Sequence, residues 1–231
     1  MNTPLADRIR PQSLDDIAGQ HHLLDKDKPL RNIIESGQIP NMVFYGPSGV
    51  GKTTLASIIA KKTNRTLRKL NGTTATTADI RNIVSELSGF TGMNGILLYL
   101  DEIQYFNKKQ QQTLLEFIEN GSITLIASTT ENPYFYVYSA ILSRSTVFEF
   151  KSVEKDDVVV AVNRAFDFMR NELNEEIEVS EKAIEHIAYA CGGDVRKAIN
   201  AVELSTISSP IVENKRTVTL ETVKSLTQKS A

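Results

Sequence analysis

The segment Gly46-Pro-Ser-Gly-Val-Gly-Lys-Thr53 has the spacing G-x-x-x-x-G-K-[ST]. Its glycines let successive backbone N–H groups turn inward around phosphate oxygens, and the start of a following helix adds the positive end of its dipole. Lys52 would reach the β- and γ-phosphates, and the Thr53 hydroxyl would coordinate Mg²⁺. The expected nucleotide contacts are therefore Gly46, Pro47, Ser48, Gly49, Val50, Gly51, Lys52, Thr53 and Thr54. Asp101 and Glu102 close the most apolar run of the chain, Gly95-Ile-Leu-Leu-Tyr-Leu100. A carboxylate emerging from a buried strand beside such a loop would hold Mg²⁺ through water, and Glu102 would polarise the attacking water. Thr129 or Thr130, at a strand end beside Asp101, could offer its hydroxyl to the γ-phosphate or that water, while Arg144 and Arg196 could neutralise transition-state charge, in cis or from a neighbour. Asn107-Lys108-Lys109-Gln110 lacks the Asp of a guanine-reading N-K-x-D, so ATP is favoured over GTP. A Glu directly after the metal-binding Asp favours hydrolysis over kinase transfer.

These residues need a scaffold, and its pattern is on the sequence. Met42 to Tyr45 reads as a strand ahead of the loop, and Leu55, Ile58 and Ile59 recur at helical spacing after it. Thr66 to Leu70 is a second strand, and Ile80, Ile83, Val84 and Leu87 share one helical face. Asn107 can cap a helix carrying Leu114, Leu115, Phe117 and Ile118, which Gly121 stops. Ser122 to Ser128 and Thr146 to Phe150 are the remaining strands. Strands alternating with helices predict a parallel, doubly wound sheet with ligands at the carboxyl ends of its strands. After Lys151 no buried strand is expected. Four helical segments follow, one over Ala161 to Leu173 and three with Ser180, Asp194 and Thr219 as N-caps. The fold class is α/β, a P-loop NTPase core over 1–152 followed by a small all-helical lid domain over 153–231. With no Pro-rich or Gly/Ser-rich linker, the two parts are expected to pack closely.

Composition narrows the function classes. The 231 residues, 41% hydrophobic and 23% charged, are those of a globular protein and exclude disorder or a low-complexity fibre. A net charge of −2 supplies no global positive field, so nucleic-acid contact requires a local patch from Lys61, Lys62, Arg65, Arg68, Lys69, Lys108 and Lys109. A single cysteine, Cys191, excludes an internal disulfide, and with His21, His22 and His186 it gives no zinc-ligand spacing. A reducing, cytoplasmic setting is expected. The first ten residues carry no apolar signal core, and no run approaches the roughly 18 apolar residues of a membrane span, so neither export nor membrane insertion is expected.

Taken together, the chain resembles the AAA+ ATPases, and within them the replication-associated recombination protein A family, related to the Werner-helicase-interacting protein. The resemblance rests on Pro4 to Gln20, Asp101 to Gln111, Thr129-Thr-Glu-Asn-Pro133, Leu142-Ser-Arg144 and Gly193 to Ala198. Phe106-Asn-Lys paired with Thr-Thr-Glu-Asn-Pro is far more specific than the phosphate loop. The resemblance implies that Asp16, Ile17 and Gly19 lie against the adenine, that Thr130 is the sensor-1 residue, and that Arg196 is the sensor-2 arginine of the lid. It further implies that Arg144 is an arginine finger for an adjacent subunit and that Asn71 restrains the catalytic Glu102.

At the level of the whole protein it implies a DNA-dependent, Mg²⁺-requiring ATPase associated with the nucleoid. Such a protein acts on single-stranded, forked or gapped DNA, meets single-strand-binding protein, and forms a tetramer through a domain that would follow Ala231. By this reading the chain is a fragment, monomeric without that domain. Alternatives are a clamp-loader-like or Holliday-junction branch-migration subunit, or an ATP-gated scaffold with little turnover. Three segments depart from the family pattern: Ser48 replaces a second Pro, Ser88 to Asn94 is shorter and less basic, and Tyr134-Phe-Tyr-Val-Tyr138 is unusually aromatic. Those aromatics are expected to pack on the sheet edge or a neighbouring subunit in preference to stacking on bases.

Overall fold

The computed structural model describes residues 3–85 and 95–227; the family comparison at Ser88 to Asn94 lies outside them. In chain order the elements are α1 (Leu5–Arg8), α2 (His21–Leu24), α3 (Pro29–Ser36), β1 (Met42–Tyr45), α4 (Lys52–Lys62), β2 (Thr66–Asn71), α5 (Thr77–Ser85), β3 (Ile96–Asp101), α6 (Lys108–Glu119) and β4 (Ile123–Thr129). They continue with α7 (Pro133–Tyr136), α8 (Ser139–Leu142), β5 (Thr146–Glu149), α9 (Lys155–Leu173), β6 (Glu176–Val179), α10 (Glu181–Ala190), α11 (Val195–Ser208), β7 (Ile211–Val212), β8 (Lys215–Val218) and α12 (Leu220–Leu226). Packing divides the chain into two compact units, a sheet unit of His21–Pro47 and Lys52–Phe150 and a helical unit of Met1–Gln20, Ser48–Gly51 and Lys151–Ala231.

The sheet unit is built on five parallel strands in the order β2-β3-β4-β1-β5. All five strands expected from the sequence are present. Alternation along β3 fixes what each face carries. Ile96, Leu98 and Leu100 join Ile80, Ile83, Leu114 and Ile118 of α5 and α6 in one core, while Leu97, Tyr99 and Asp101 point to the opposite face, where α4 packs. Helix α6 begins on a full capping box, the Asn107 side chain accepting from Gln110 N–H and the Gln110 side chain from Asn107 N–H. It ends at Gly121 in the left-handed region (φ 73°). Asn107→Ala is expected to lower the unfolding free energy by about 1 kcal/mol. The check is the urea midpoint at unchanged m-value; an unmoved midpoint would mean that packing alone holds the start of α6.

In the helical unit α9, α10, α11 and α12 pack on one another, and Leu5 of α1 is fully buried beside α11. Leu5 N–H donates to Glu203 Oε2 (3.0 Å), and Arg8 bridges Glu203 and Glu172. Ser180, Asp194 and Thr219 cap α10, α11 and α12 through their side chains, as the sequence suggests.

The C-terminal part is helical but not without strands. Strand β8 pairs in parallel with β6 and antiparallel with β7. The sequence pattern misses this sheet because β6 is only Glu-Ile-Glu-Val with Ile177 buried, and β7 is exposed along both residues. Four alternating residues carry too few apolar positions to stand out from loop. Arg216 ties the sheet down by pairing with Glu175 and donating to the Ser209 carbonyl (2.9 Å) just past α11. No helix among the described residues is long and apolar enough to cross a membrane.

Candidate active site

The carboxyl ends of β1, β3 and β4 bring the sheet unit's polar residues together. After Tyr45 the chain turns at Gly46, whose φ of 143° is open to glycine, and a Cβ there would fall 2.1 Å from the Phe150 carbonyl oxygen. Gly46 N–H is held by the Thr129 carbonyl across the sheet (3.1 Å). The first turn of α4 then presents backbone N–H groups without intrahelical partners, together with the helix dipole. Lys52 Nζ donates to the Gly46 and Pro47 carbonyls, 2.6 Å each, which keeps a nearly buried ammonium inside the loop.

Thr53 and Asp101 meet through a buried tyrosine. Tyr99 hydroxyl lies 3.0 Å from Thr53 Oγ1, 2.8 Å from Ser128 Oγ and 3.2 Å from Asp101 Oδ1, and Ser128 Oγ donates to that same carboxylate oxygen. Burial first, then the Asp101 charge, pushes the Tyr99 phenol above the ordinary tyrosine range, so it stays protonated.

Glu102 follows in the left-handed region (φ 55°, ψ 51°), a conformation that costs a non-glycine residue free energy. Gln104 Nε2 donates to Glu102 Oε2, and Thr130 Oγ1 lies 3.5 Å from the same oxygen. Asn71 stands opposite Asp101 in register, yet its Oδ1 accepts from Thr73 N–H (2.9 Å) and Thr73 Oγ1 (2.6 Å). Gln104 thus holds the Glu102 carboxylate directly, while the amide oxygen of Asn71 is engaged with Thr73.

The helical unit holds the remaining phosphate-loop residues. Gly49 has φ 68°, and a Cβ there would lie 1.8 Å from Asp194 Oδ1. Ser48 Oγ donates to Asp194 Oδ2 (3.0 Å), and Val195 N–H donates to the Gly49 carbonyl (3.1 Å). These bonds fix the start of α11, and with it exposed Arg196, beside Ser48–Gly51. Ile17 lies next to Gly51, and Gly19 packs against Val153. Asp16 accepts from Ser13 Oγ and N–H, which holds its carboxyl below the usual range, with Arg164 at 3.8 Å adding to the effect.

Arg144 is not gathered with these groups. Its guanidinium pairs with Glu119 Oε1 (2.6 Å) and donates to the Ala140 carbonyl (3.0 Å). The aromatic segment divides. Val137 is buried and Tyr138 packs on the core, as expected of a sheet-edge segment, whereas Tyr134, Phe135 and Tyr136 are exposed, Phe135 by 81%, which leaves for these three the neighbouring-subunit half of the expectation. Nor do the basic residues form one patch. Lys61, Lys62 and Arg65 precede β2, at the opposite end of the parallel sheet from Asp101, whereas Lys108 and Lys109 open α6 on the Asp101 side.

Sequence reasoning missed Tyr99, Ser128 and Gln104. Tyr99 had a readable signal, since a residue two before Asp101 in a strand shares its face. Gln104 had none, because the turn that returns it to Glu102 comes from backbone conformation. A hydroxyl and a carboxylate at the mouth of an anion-binding loop are hard oxygen donors that suit Mg²⁺ shared with a nucleotide. Among the described residues no three His, Cys, Asp or Glu side chains cluster as a separate metal cage.

The family of ATPases associated with various cellular activities (AAA) matches residues 42–153, and the AAA C-terminal domain matches residues 173–231. The chain is 37% identical to replication-associated recombination protein A of Bacillus subtilis (strain 168), over 99% of this chain and 54% of that protein. It is 34% identical to ATPase WRNIP1 of Dictyostelium discoideum, over 87% of this chain and 23% of that protein. The solved structure of the Thermotoga maritima RuvB Holliday junction branch migration motor superposes with a TM-score of 0.76 at 25% identity, covering 94% of this chain and 71% of that one. The chain spans about half the length of the curated bacterial relatives it matches. It belongs to the AAA family of ATPases, and within it to the replication-associated recombination protein A family.

Proposed function

We propose that this chain binds Mg·ATP at the phosphate loop, hydrolyses it, and couples turnover to DNA in replication-associated recombination and repair. The observation that carries the proposal is the convergence of Lys52, Thr53, Asp101, Glu102 and Thr130 at the carboxyl ends of β1, β3 and β4. In this reading Lys52 and the loop N–H groups bind the phosphates, and Thr53 and Asp101 hold the Mg²⁺, which supplies charge neutralisation at the phosphoryl group. Glu102 polarises water, Thr130 orients it, and Arg196 adds positive charge beside loop residues Ser48–Gly51. Asp16, Ile17 and Gly19 bind the base, and Arg144 serves a neighbouring copy. Residues 1–152 form the ATPase core and 153–231 the lid, which supplies Arg196. Single-strand-binding protein and a tetrameric state of a longer form complete the proposal, as does a place in the cytoplasm on the nucleoid.

The test is ATP turnover per mole of chain against its own concentration, with and without single-stranded DNA. Specific activity should rise with concentration, and DNA should raise it further. Negligible turnover at every concentration while Mg·ATP still binds would favour a nucleotide-gated scaffold. The likeness to the RuvB motor supports a second reading as a branch-migration ATPase, which requires stimulation by a four-way junction above that by single-stranded DNA.

A further inference from the structure

The Tyr99 hydroxyl and the three oxygens around it form a chain whose protons can be counted. Asp101 Oδ1 is the acceptor at one end, and Ser128 Oγ donates to it. Ser128 has then spent its one proton, so at the 2.8 Å contact it must accept from Tyr99. Tyr99 also has a single proton, and the Ser128 contact is shorter than the 3.2 Å one to Asp101. Having given that proton away, Tyr99 can only accept at the 3.0 Å contact with Thr53 Oγ1. The carboxylate at one end thereby sets the direction of every bond: Thr53 to Tyr99, Tyr99 to Ser128, Ser128 to Asp101. A threonine hydroxyl can ligate a cation only when its hydrogen points elsewhere. Tyr99 takes that hydrogen, from a position that is 1% exposed and closed to competing water.

We propose that Tyr99 is a positioning residue, the central link of a Thr53–Tyr99–Ser128–Asp101 relay that aims the lone pairs of Thr53 Oγ1 at a nucleotide-bound divalent cation. The proposal rests on the Mg·ATP reading of the site. A phenylalanine at 99 would keep the buried ring and delete only the link, leaving the Thr53 hydrogen without this acceptor.

The experiment compares Tyr99→Phe with the parent chain of 231 residues in two titrations: fluorescent ADP in EDTA, and Mn²⁺ onto the ADP complex, read by paramagnetic resonance. The relay predicts metal-free ADP affinity within about twofold of the parent and Mn²⁺ affinity lower by about tenfold, the range for a lost hydrogen bond to a charged network. Ser128→Ala should lose less, because Tyr99 can then donate directly to Asp101 Oδ1, and adding Tyr99→Phe to it should reach the Tyr99→Phe value without summing. Equal Mn²⁺ affinity in parent and Tyr99→Phe overturns the relay while leaving the nucleotide reading intact. A fall in metal-free and metal-bound affinity by the same factor overturns it too, since it marks a structural role. A parent chain that binds no ADP, or binds it without any gain from Mn²⁺, overturns the Mg·ATP reading and the relay with it.

Discussion

Glu102→Gln is expected to retain ATP binding and to lose turnover by about 10²- to 10⁴-fold, the range for removing a positioned base or water-polarising group. The substitution keeps the size and the hydrogen-bonding reach of the side chain, so the Thr130 contact and the left-handed backbone at 102 can persist. What disappears is the carboxylate that accepts from water. Binding is preserved because Lys52, Thr53 and the loop N–H groups are untouched. Phosphate release and ATP affinity measured on the same preparation separate the outcomes. Turnover within tenfold of the parent, at full ATP affinity, would move the catalytic role away from Glu102. Equal inactivity of parent and variant across concentrations and DNA ligands would favour a scaffold over an enzyme.

Arg144→Ala is expected to reduce turnover by about 10³-fold or more at concentrations where the parent is active, the range seen for arginine fingers supplied in trans. Within its own unit Arg144 is paired with exposed Glu119 at 2.6 Å, an interaction worth at most about 1 kcal/mol in water and readily exchanged for phosphate. The decisive form of the test is a mixture. Arg144→Ala chains keep a complete water-activating site, and Glu102→Gln chains keep a finger, so mixing two nearly inactive preparations should restore a measurable fraction of activity. If the mixture stays inactive although both variants bind ATP, or if Arg144→Ala alone works normally, Arg144 does not act on a neighbour's nucleotide.

Much of this was legible in the residues. Met42–Tyr45, the glycine loop and Ile96–Asp101 combine a strong apolar signal with punctuation, and the four side-chain caps at Asn107, Ser180, Asp194 and Thr219 are local devices that announce helix starts. The small sheet of the helical unit was not legible, because its strands pair over long separations and bury little. Nor was the partner of Glu102: Gln104 lies only two residues on, and the left-handed backbone at Glu102 that folds it back leaves no periodic mark on the sequence. The Tyr99 network was half visible. Alternation put its ring on the Asp101 face, whereas Thr53 and Ser128 reach it from strands and helices that only the folded topology brings near.

The bond from Leu5 to Glu203 joins positions separated by 198 residues. A chain leaving the ribosome emerges amino end first, and domains tend to fold as soon as their parts are available. Residues 3–20 are therefore made well before α11 and the other helices with which they pack, while every strand of the parallel sheet lies between His21 and Phe150. Until α11 is made, Leu5 lacks the helix that buries it, so α1 is an early-made element whose packing is completed late.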